Sequence, residues 1–202
     1  DGNLNILEEQ IDVDLQMKYF ELSRKVKKEL VPEVVMEESV ILFKENTGND
    51  KKKELLVRLA SVEEVVAFRT IERFYMSAPE DLREWAALAY QESKMMLESK
   101  FLDENQVLIS TGLGGKGMKL RYFVVILGEK NQDFTDIQKR IIKNEFNYTL
   151  RKHNSEIEDL NFSESMATIM AIVPMNEPVK AVFEEAVGEC NTYGNFLREN
   201  FI

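Results

Sequence analysis

The chain has 202 residues, of which 44% are hydrophobic and 31% are charged, and its formal net charge is −10. This length is enough for a substantial hydrophobic core in one large domain or two small ones. An acidic surface repels phosphate backbones, so the composition argues against nucleic-acid binding. The apolar stretches are too short to span a bilayer, which needs about 20 consecutive apolar residues, so no membrane association is expected.

The first half of the sequence has the periodicity of helices. Apolar residues recur every three or four positions from residue 4 onward, as on the buried face of an amphipathic helix. Pro32 ends the first helix and opens the second. Ser61 and Glu64 have the spacing of a capping box. These signals predict an irregular helical bundle over residues 1–104. Its helices are expected at 4–30, 32–45, 54–60, 62–78 and 80–102.

The second half alternates between strand and helix patterns. Runs rich in β-branched and aromatic residues predict strands, and longer amphipathic runs predict helices. The order of these elements is strand, strand, helix, strand, strand, helix. This order predicts an α+β protein in which the bundle is followed, over 105–202, by a ββαββα antiparallel-sheet sandwich with a permuted ferredoxin-like arrangement. The expected strands are 106–111, 119–128, 156–162 and 167–174, and the expected helices are 133–153 and 177–190.

The end of the chain allows two interpretations. Val182, Cys190 and Leu197 nearly continue a helical stripe, which favours a last helix that runs on to the terminus. Alternatively, residues 195–202 form a final edge strand and the sandwich has the ordinary βαββαβ order. The two arrangements exclude each other, because a strand at 106–111 would occupy the same place beside 119–128.

The predicted strands differ in their surroundings. Residues 122–127 and 169–173 are apolar on both faces, as in strands that are covered on both sides. Residues 156–162 include several carboxylates, as expected for an edge strand. Two helices cover only one face of such a sheet. The other face is therefore predicted to be covered by the N-terminal helices or by a second copy of the chain, or to receive a protein partner.

The glycine-rich segment STGLGGKGMK, residues 110–119, is the clearest candidate for a site. Its spacing matches G-x-G-x-x-G, but the segment leads into a strand, so no helix N-terminus is available to a dinucleotide. A hairpin whose glycines take positive φ is the favoured interpretation. As an alternative, successive backbone amides and two lysines could hold an anion. The ligand-binding residues would then be Gly112, Gly114, Gly115, Lys116, Gly117 and Lys119.

The single histidine and the single cysteine suggest structural roles. His153 is predicted to be an exposed charge at a helix end, and one histidine cannot build a His-rich zinc site. Cys190 is predicted to be a buried small apolar residue, and one cysteine favours a reducing, cytoplasmic location. No catalytic residue, metal or cofactor is predicted.

Three functions follow from these features, and no motif identifies a family. The favoured one is a non-enzymatic cytoplasmic protein that acts through protein–protein interaction or as a scaffold, as a homo-oligomer. The alternative is a regulatory module that binds a small anion or nucleotide at the hairpin 112–117. The third is a hydrolase or transferase, which needs a pocket where acids with perturbed pKa values converge.

Overall fold

The computed structural model describes residues 4–103, 106–130 and 132–199. The chain combines helices with two sheets, so the predicted mixed α+β class is confirmed. It divides into two compact units, Asp1–Gly114 and Gly115–Ile202. The sequence placed this boundary after residue 104, before the strand predicted at 106–111. Among the described residues, none of the helices combines the length and the apolar composition that crossing a bilayer requires.

The described residues of the N-terminal unit form five α-helices and a small parallel sheet. Its strands β1 and β2 pair with Leu4 opposite Val107 and Ile6 opposite Ile109. Two short 3₁₀ segments, Lys27–Glu29 and Ser39–Phe43, follow the first and second helices. The elements are β1 (Leu4–Ile6), α1 (Val13–Val26), α2 (Pro32–Glu38), α3 (Asn49–Ala60), α4 (Val65–Ser77), α5 (Glu80–Leu102) and β2 (Val107–Ile109).

The sheet of the N-terminal unit corrects two predictions. The helix expected from residue 4 begins at Val13, because the Asp12 side chain accepts the N–H groups of Asp14 and Leu15 at 3.0 and 3.1 Å and caps the helix there. The expectation that the strand at 106–111 belongs to the C-terminal sheet is wrong. It pairs with β1 instead.

The predicted capping box before α4 is also wrong. The Ser61 hydroxyl donates to the carbonyl of Val57 at 3.1 Å, one turn back in α3. Glu64 occupies the N-cap position of α4 without a side-chain cap. The helix stripe nevertheless buries Ala67, Ile71 and Phe74, so packing rather than capping stabilises α4.

In the C-terminal unit, the residues that the structure describes form a four-stranded antiparallel sheet with the strand order β3-β4-β6-β5. In β4 and β6, Phe123 lies opposite Met170 and Leu127 opposite Met166. The acidic strand β5 lies at an edge, as predicted. The elements are β3 (Gly115–Lys116), β4 (Lys119–Leu127), α6 (Asp136–Lys152), β5 (Glu156–Ser163), β6 (Met166–Pro174) and α7 (Val179–Asn191).

The last helix ends earlier than the favoured interpretation predicted. The Asn191 side chain accepts the N–H groups of Phe196 and Leu197 at 3.2 and 3.0 Å and donates to the Leu197 carbonyl, which turns the chain after α7. Leu197 is buried and forms an antiparallel bridge with Gly128, next to the end of β4. Within 195–199, this bridge is the only strand pairing of the alternative edge strand predicted over 195–202. Residues 200–202 lie outside the described residues.

The helices α6 and α7 pack on one face of the C-terminal sheet. Even-numbered residues of β4, such as Val124 and Ile126, point to this side, as do odd-numbered residues of β6. Because side chains alternate along a strand, Phe123 and Val125 point to the other side, which we call the second face. The core under the helices includes Ile142, Phe146, Val182, Phe183 and Cys190.

Candidate functional site

The two glycines at the end of the N-terminal unit, Gly112 and Gly114, are closely packed. Gly114 has φ +71°, and a Cβ there would lie 2.4 Å from the Glu8 carbonyl oxygen. A Cβ at Gly112 would come within 3.2 Å of the Val13 side chain. The Gly114 amide donates to the Thr111 carbonyl at 3.3 Å. Close contact with the backbone before α1 therefore accounts for Gly114, whereas Gly112 packs against the first side chain of α1.

The rest of the segment forms the hairpin of β3 and β4. Lys116 lies opposite Lys119, and Gly117 with Met118 forms the two-residue loop. Gly117 has φ +57°, and no atom lies within 4 Å of the position that a Cβ would take. The positive φ explains glycine at this position, because a two-residue hairpin loop demands it.

The two lysines of this hairpin already have protein partners. The Lys119 ammonium donates to the Asn154 carbonyl at 2.5 Å and lies 3.4 Å from Glu156. The Lys116 ammonium is 3.9 Å from the same carboxylate, and its side chain is 67% exposed. The structure therefore brings Gly115, Lys116, Gly117 and Lys119 into one hairpin, with Glu156 supplying the negative charge beside them.

The second face carries an exposed aromatic ring that the sequence did not single out. Phe123 is 52% exposed at the middle of β4. Around it on this face lie the partly buried side chains of Val125 and Met170. The prediction that residues 122–127 are covered on both sides therefore fails at Phe123. Lys119 and Arg121 lie on the same face of β4 as Phe123. These polar residues at the start of the strand are the sequence signal that this face is exposed.

An ion pair between Arg121 and Glu158 borders this apolar area. The Arg121 guanidinium binds the Glu158 carboxylate through Nε and through Nη2, the latter at 3.0 Å. This hydrogen bonding lowers the pKa of Glu158. Ile172, in register with Arg121, is fully buried. The exposed part of the second face is thus centred on Phe123 and ends at the Arg121–Glu158 pair.

His153 forms a second polar cluster, beside the end of α6. Its Nδ1 lies 2.9 Å from Glu177 and its Nε2 lies 2.9 Å from Glu185, which also binds Lys152 at 2.7 Å. Hydrogen bonds to Glu185 and Glu177 raise the pKa of His153. The predicted exposed charge is instead a partly buried link between α6 and α7. Both ring nitrogens are engaged, so this cluster joins helices and presents no ring nitrogen to a ligand.

Neither Cys190 nor the cavity beside the start of α6 provides a clear basis for catalysis. Cys190 is fully buried, as predicted, and burial raises the pKa of its thiol to about 12. A cavity of 380 Å³ lies between the loop after β4, the start of α6 and the turn after α7. Asp133 and Lys130 are its charged lining residues. In the described part of the chain, no three His, Cys, Asp or Glu side chains are grouped closely enough to hold a metal ion.

Comparison with known proteins gives no relative. No protein-family model matches the chain, and neither the curated proteins nor the solved structures include a match. The geometry of β4 and its hairpin is therefore the basis for assigning a function.

Proposed function

We propose that the chain is a protein-binding module and that its partner docks on the second face of the C-terminal sheet. The observation that carries this proposal is the half-exposed ring of Phe123 at the middle of β4. Aromatic side chains supply much of the energy of protein interfaces, and exposed apolar groups bordered by charged residues are typical of such surfaces. In this proposal the chain is cytoplasmic, binds rather than catalyses, and needs no cofactor.

The fold proposed for this module is a permuted ferredoxin-like sandwich. The strand order β3-β4-β6-β5 and the alternation of strand pairs with α6 and α7 support it. Because both helices lie on one face, this arrangement leaves the part of the other face around Phe123 for a partner. A second copy of the chain is one such partner, and its presence is an outcome of the test below.

Selection from a random peptide library displayed on phage tests the proposal. We expect peptides enriched on the wild-type chain to lose at least about tenfold in affinity on Phe123→Glu, which corresponds to roughly 1.4 kcal/mol. Tyr148→Glu is the matched control, because Tyr148 is an aromatic residue of α6 that is 71% exposed. Light scattering of the wild-type chain reports self-association.

Two results would contradict the proposal. One is a set of enriched peptides that bind Phe123→Glu as well as the wild type. The other is the absence of any enriched peptide together with a monomeric mass in light scattering. A dimer that dissociates on Phe123→Glu, but not on Tyr148→Glu, would instead identify the second copy as the partner.

An anion at the hairpin 112–117 is the second candidate function. The exposed Lys116 ammonium and the open space around Gly117 favour it. A thermal-shift screen with nucleotides and phosphorylated metabolites tests it, since a ligand at about 100 times its Kd stabilises the native state by roughly 2.7 kcal/mol. Loss of a shift in Lys116→Ala would support this candidate. Equal shifts in both proteins, or none, would reject it.

A further inference from the structure

The outward side of α6 is basic, although the chain as a whole is acidic. The helix carries five basic and two acidic residues, whereas the net charge of the chain is −10. Ile142 and Phe146 are buried and fix the side of the helix that packs on the sheet. From residue 140 onward, six polar or aromatic residues lie on the opposite side, which we call the basic face. They are Arg140, Lys143, Asn144, Asn147, Tyr148 and Arg151.

Three cations of the basic face have no carboxylate partner. Arg140, Lys143 and Arg151 are exposed, and in the described part of the chain none of them forms an ion pair. On the side of α7, the Glu185 carboxylate is already bound to the Lys152 ammonium at 2.7 Å. The three positive charges are therefore available to an anionic ligand, whose local concentration such a surface raises.

Tyr148 places an exposed aromatic ring among these cations. It is 71% exposed, and within the described residues its ring and its hydroxyl have no protein partner. A surface groove of 770 Å³ passes this ring and is lined by Lys143, Asn144, Asn147, Tyr148, Arg151 and Lys152. An open ring of this kind offers a stacking surface to a nucleobase, while the cations beside it offer charge to the flanking phosphates.

The groove lies away from the ends of the described ranges. Residue 131 precedes α6, and Arg198, next to the last described residue, donates to the Leu127 carbonyl at the end of β4, from which the chain leads into α6. Along the helix axis, Lys143 is about 10 Å and Arg151 about 22 Å from the first residue of α6, at about 1.5 Å per residue. The groove is thus formed by the far half of the helix, and its lining residues all belong to the described part of the chain.

We propose that the basic face of α6 binds single-stranded nucleic acid. Phosphates would contact Arg140, Lys143 and Arg151, which span about 16 Å along the helix, and a base would stack on Tyr148. The two amide side chains between the cations can both donate to and accept from base edges. The composition argues against nucleic-acid binding by the chain as a whole, and the basic face is the local exception. An acidic protein segment would use the same cations without needing the ring, so the ring distinguishes the two ligands.

Fluorescence anisotropy of a labelled oligouridine of about 12 nucleotides, titrated with the full chain, is the first test. Three phosphate contacts predict that Kd rises about 20-fold between 50 and 200 mM salt, since each contact with a single strand contributes about −0.7 to the slope of log K against log salt. The double variant Lys143→Gln/Arg151→Gln keeps one contact, so it should bind more weakly and its Kd should rise only about threefold. Lys180→Gln, which changes an 83% exposed cation of α7, is the matched control and should behave as the wild type.

Substitutions of Tyr148 test the stacking. Tyr148→Phe keeps the ring and should bind within about twofold of the wild type, whereas Tyr148→Leu should lose at least about fivefold in affinity, the lower end for one stacked base. Because Tyr148 has no partner among the described residues, both variants should keep the Tm of the wild type. Circular dichroism measures this Tm and separates lost binding from lost folding.

Three results would overturn the inference. One is the absence of oligonucleotide binding at the lower salt concentration. Another is equal affinity of the wild type and Lys143→Gln/Arg151→Gln. The third is equal affinity of Tyr148→Phe and Tyr148→Leu. In that case, displacement of the oligonucleotide by polyglutamate would assign the basic face to an acidic protein segment instead.

The basic face and the second face can be tested separately, because α6 lies on the opposite side of the sheet from Phe123. Tyr148→Glu, the control of the peptide selection, should abolish oligonucleotide binding, whereas Phe123→Glu should leave it within about twofold. A loss in Phe123→Glu as large as that in Tyr148→Glu would place the oligonucleotide elsewhere and overturn the inference. Failure of the peptide selection would leave the oligonucleotide result unaffected.

Discussion

Glu92 joins two helices of the N-terminal unit through a buried carboxylate. Its side chain is only 3% exposed and accepts hydrogen bonds from Tyr19 and Ser23 of α1, both at 2.7 Å. Lys27, which is 41% exposed, supplies the compensating charge at 2.8 Å. Burial next to this carboxylate raises the pKa of Tyr19 well above its usual value. A buried charge is tolerable only with such partners, so this network favours one register between α1 and α5.

Tyr19→Phe is therefore expected to lower the free energy of unfolding by about 2 kcal/mol, because it removes one hydrogen bond to a buried charge. Tyr193→Phe is the control, since its hydroxyl lies 3.4 Å from Glu145 and its ring is exposed. There we expect a change below about 0.5 kcal/mol. Urea denaturation followed by circular dichroism measures both. Equal losses would show that the buried network contributes nothing specific.

The His153 cluster should make stability depend on pH. Protonated, the ring donates to both Glu177 and Glu185, whereas the neutral ring can donate to only one. The pKa of His153 is raised in the folded state, so its stabilisation is fully present below the unfolded value of about 6.5 and is lost as pH rises through the folded value. His153→Gln should thus lower the free energy of unfolding more at pH 6 than at pH 9, by about 1 kcal/mol, as measured by urea denaturation at the two pH values. A cost independent of pH would contradict this assignment.

At the scale of elements, three glycines should respond differently to alanine. Gly114→Ala should destabilise by more than about 2 kcal/mol, because its Cβ would meet backbone and its φ is positive. At Gly117 an added Cβ would have open space and only the positive φ disfavours alanine, so Gly117→Ala should lower the free energy of unfolding by about 1 kcal/mol. Gly188, inside α7, has open space around the Cβ position, so alanine should stabilise by about 0.5–1 kcal/mol. Thermal unfolding of the three variants measures this order, and destabilisation by Gly188→Ala would indicate a contact at α7.

The elements also show what the sequence could predict. The helix at 80–102 was predicted with its observed bounds, since a long amphipathic run between proline and a polar loop has one interpretation. β1 was missed because Leu7 and Ile11 are buried at helix-like spacing although they precede the helix. The pairing of β2 with β1 could not be read locally, because the partners are distant in sequence. Phe123 was missed for a different reason: the apolar residues on both faces of β4 outweighed Lys119 and Arg121, the polar residues on its open face.

At the scale of the molecule, the position of the boundary has a measurable consequence. Residues beyond 104 complete the N-terminal unit, since β2 pairs with β1 and the Thr111 carbonyl accepts from the Gln16 side chain at 3.2 Å. A fragment of residues 1–114 should therefore be more stable than a fragment of residues 1–104. We expect a Tm difference of about 10 °C, equivalent to roughly 2 kcal/mol for a domain of this size. Equal Tm values would favour the earlier boundary.

The pairing of β1 with β2 also constrains how the chain can fold during its synthesis. Leu4 leaves the ribosome long before its partner Val107 has been translated. At about 5–20 residues per second, the interval of about 100 residues lasts roughly 5–20 s. The helices α1 to α5 are complete within that interval, whereas β1 stays without its strand partner until the end of it. The strand β1 is therefore among the last elements of its unit to be fixed, and a nascent chain halted before residue 107 would expose an unpaired strand to chaperones and proteases.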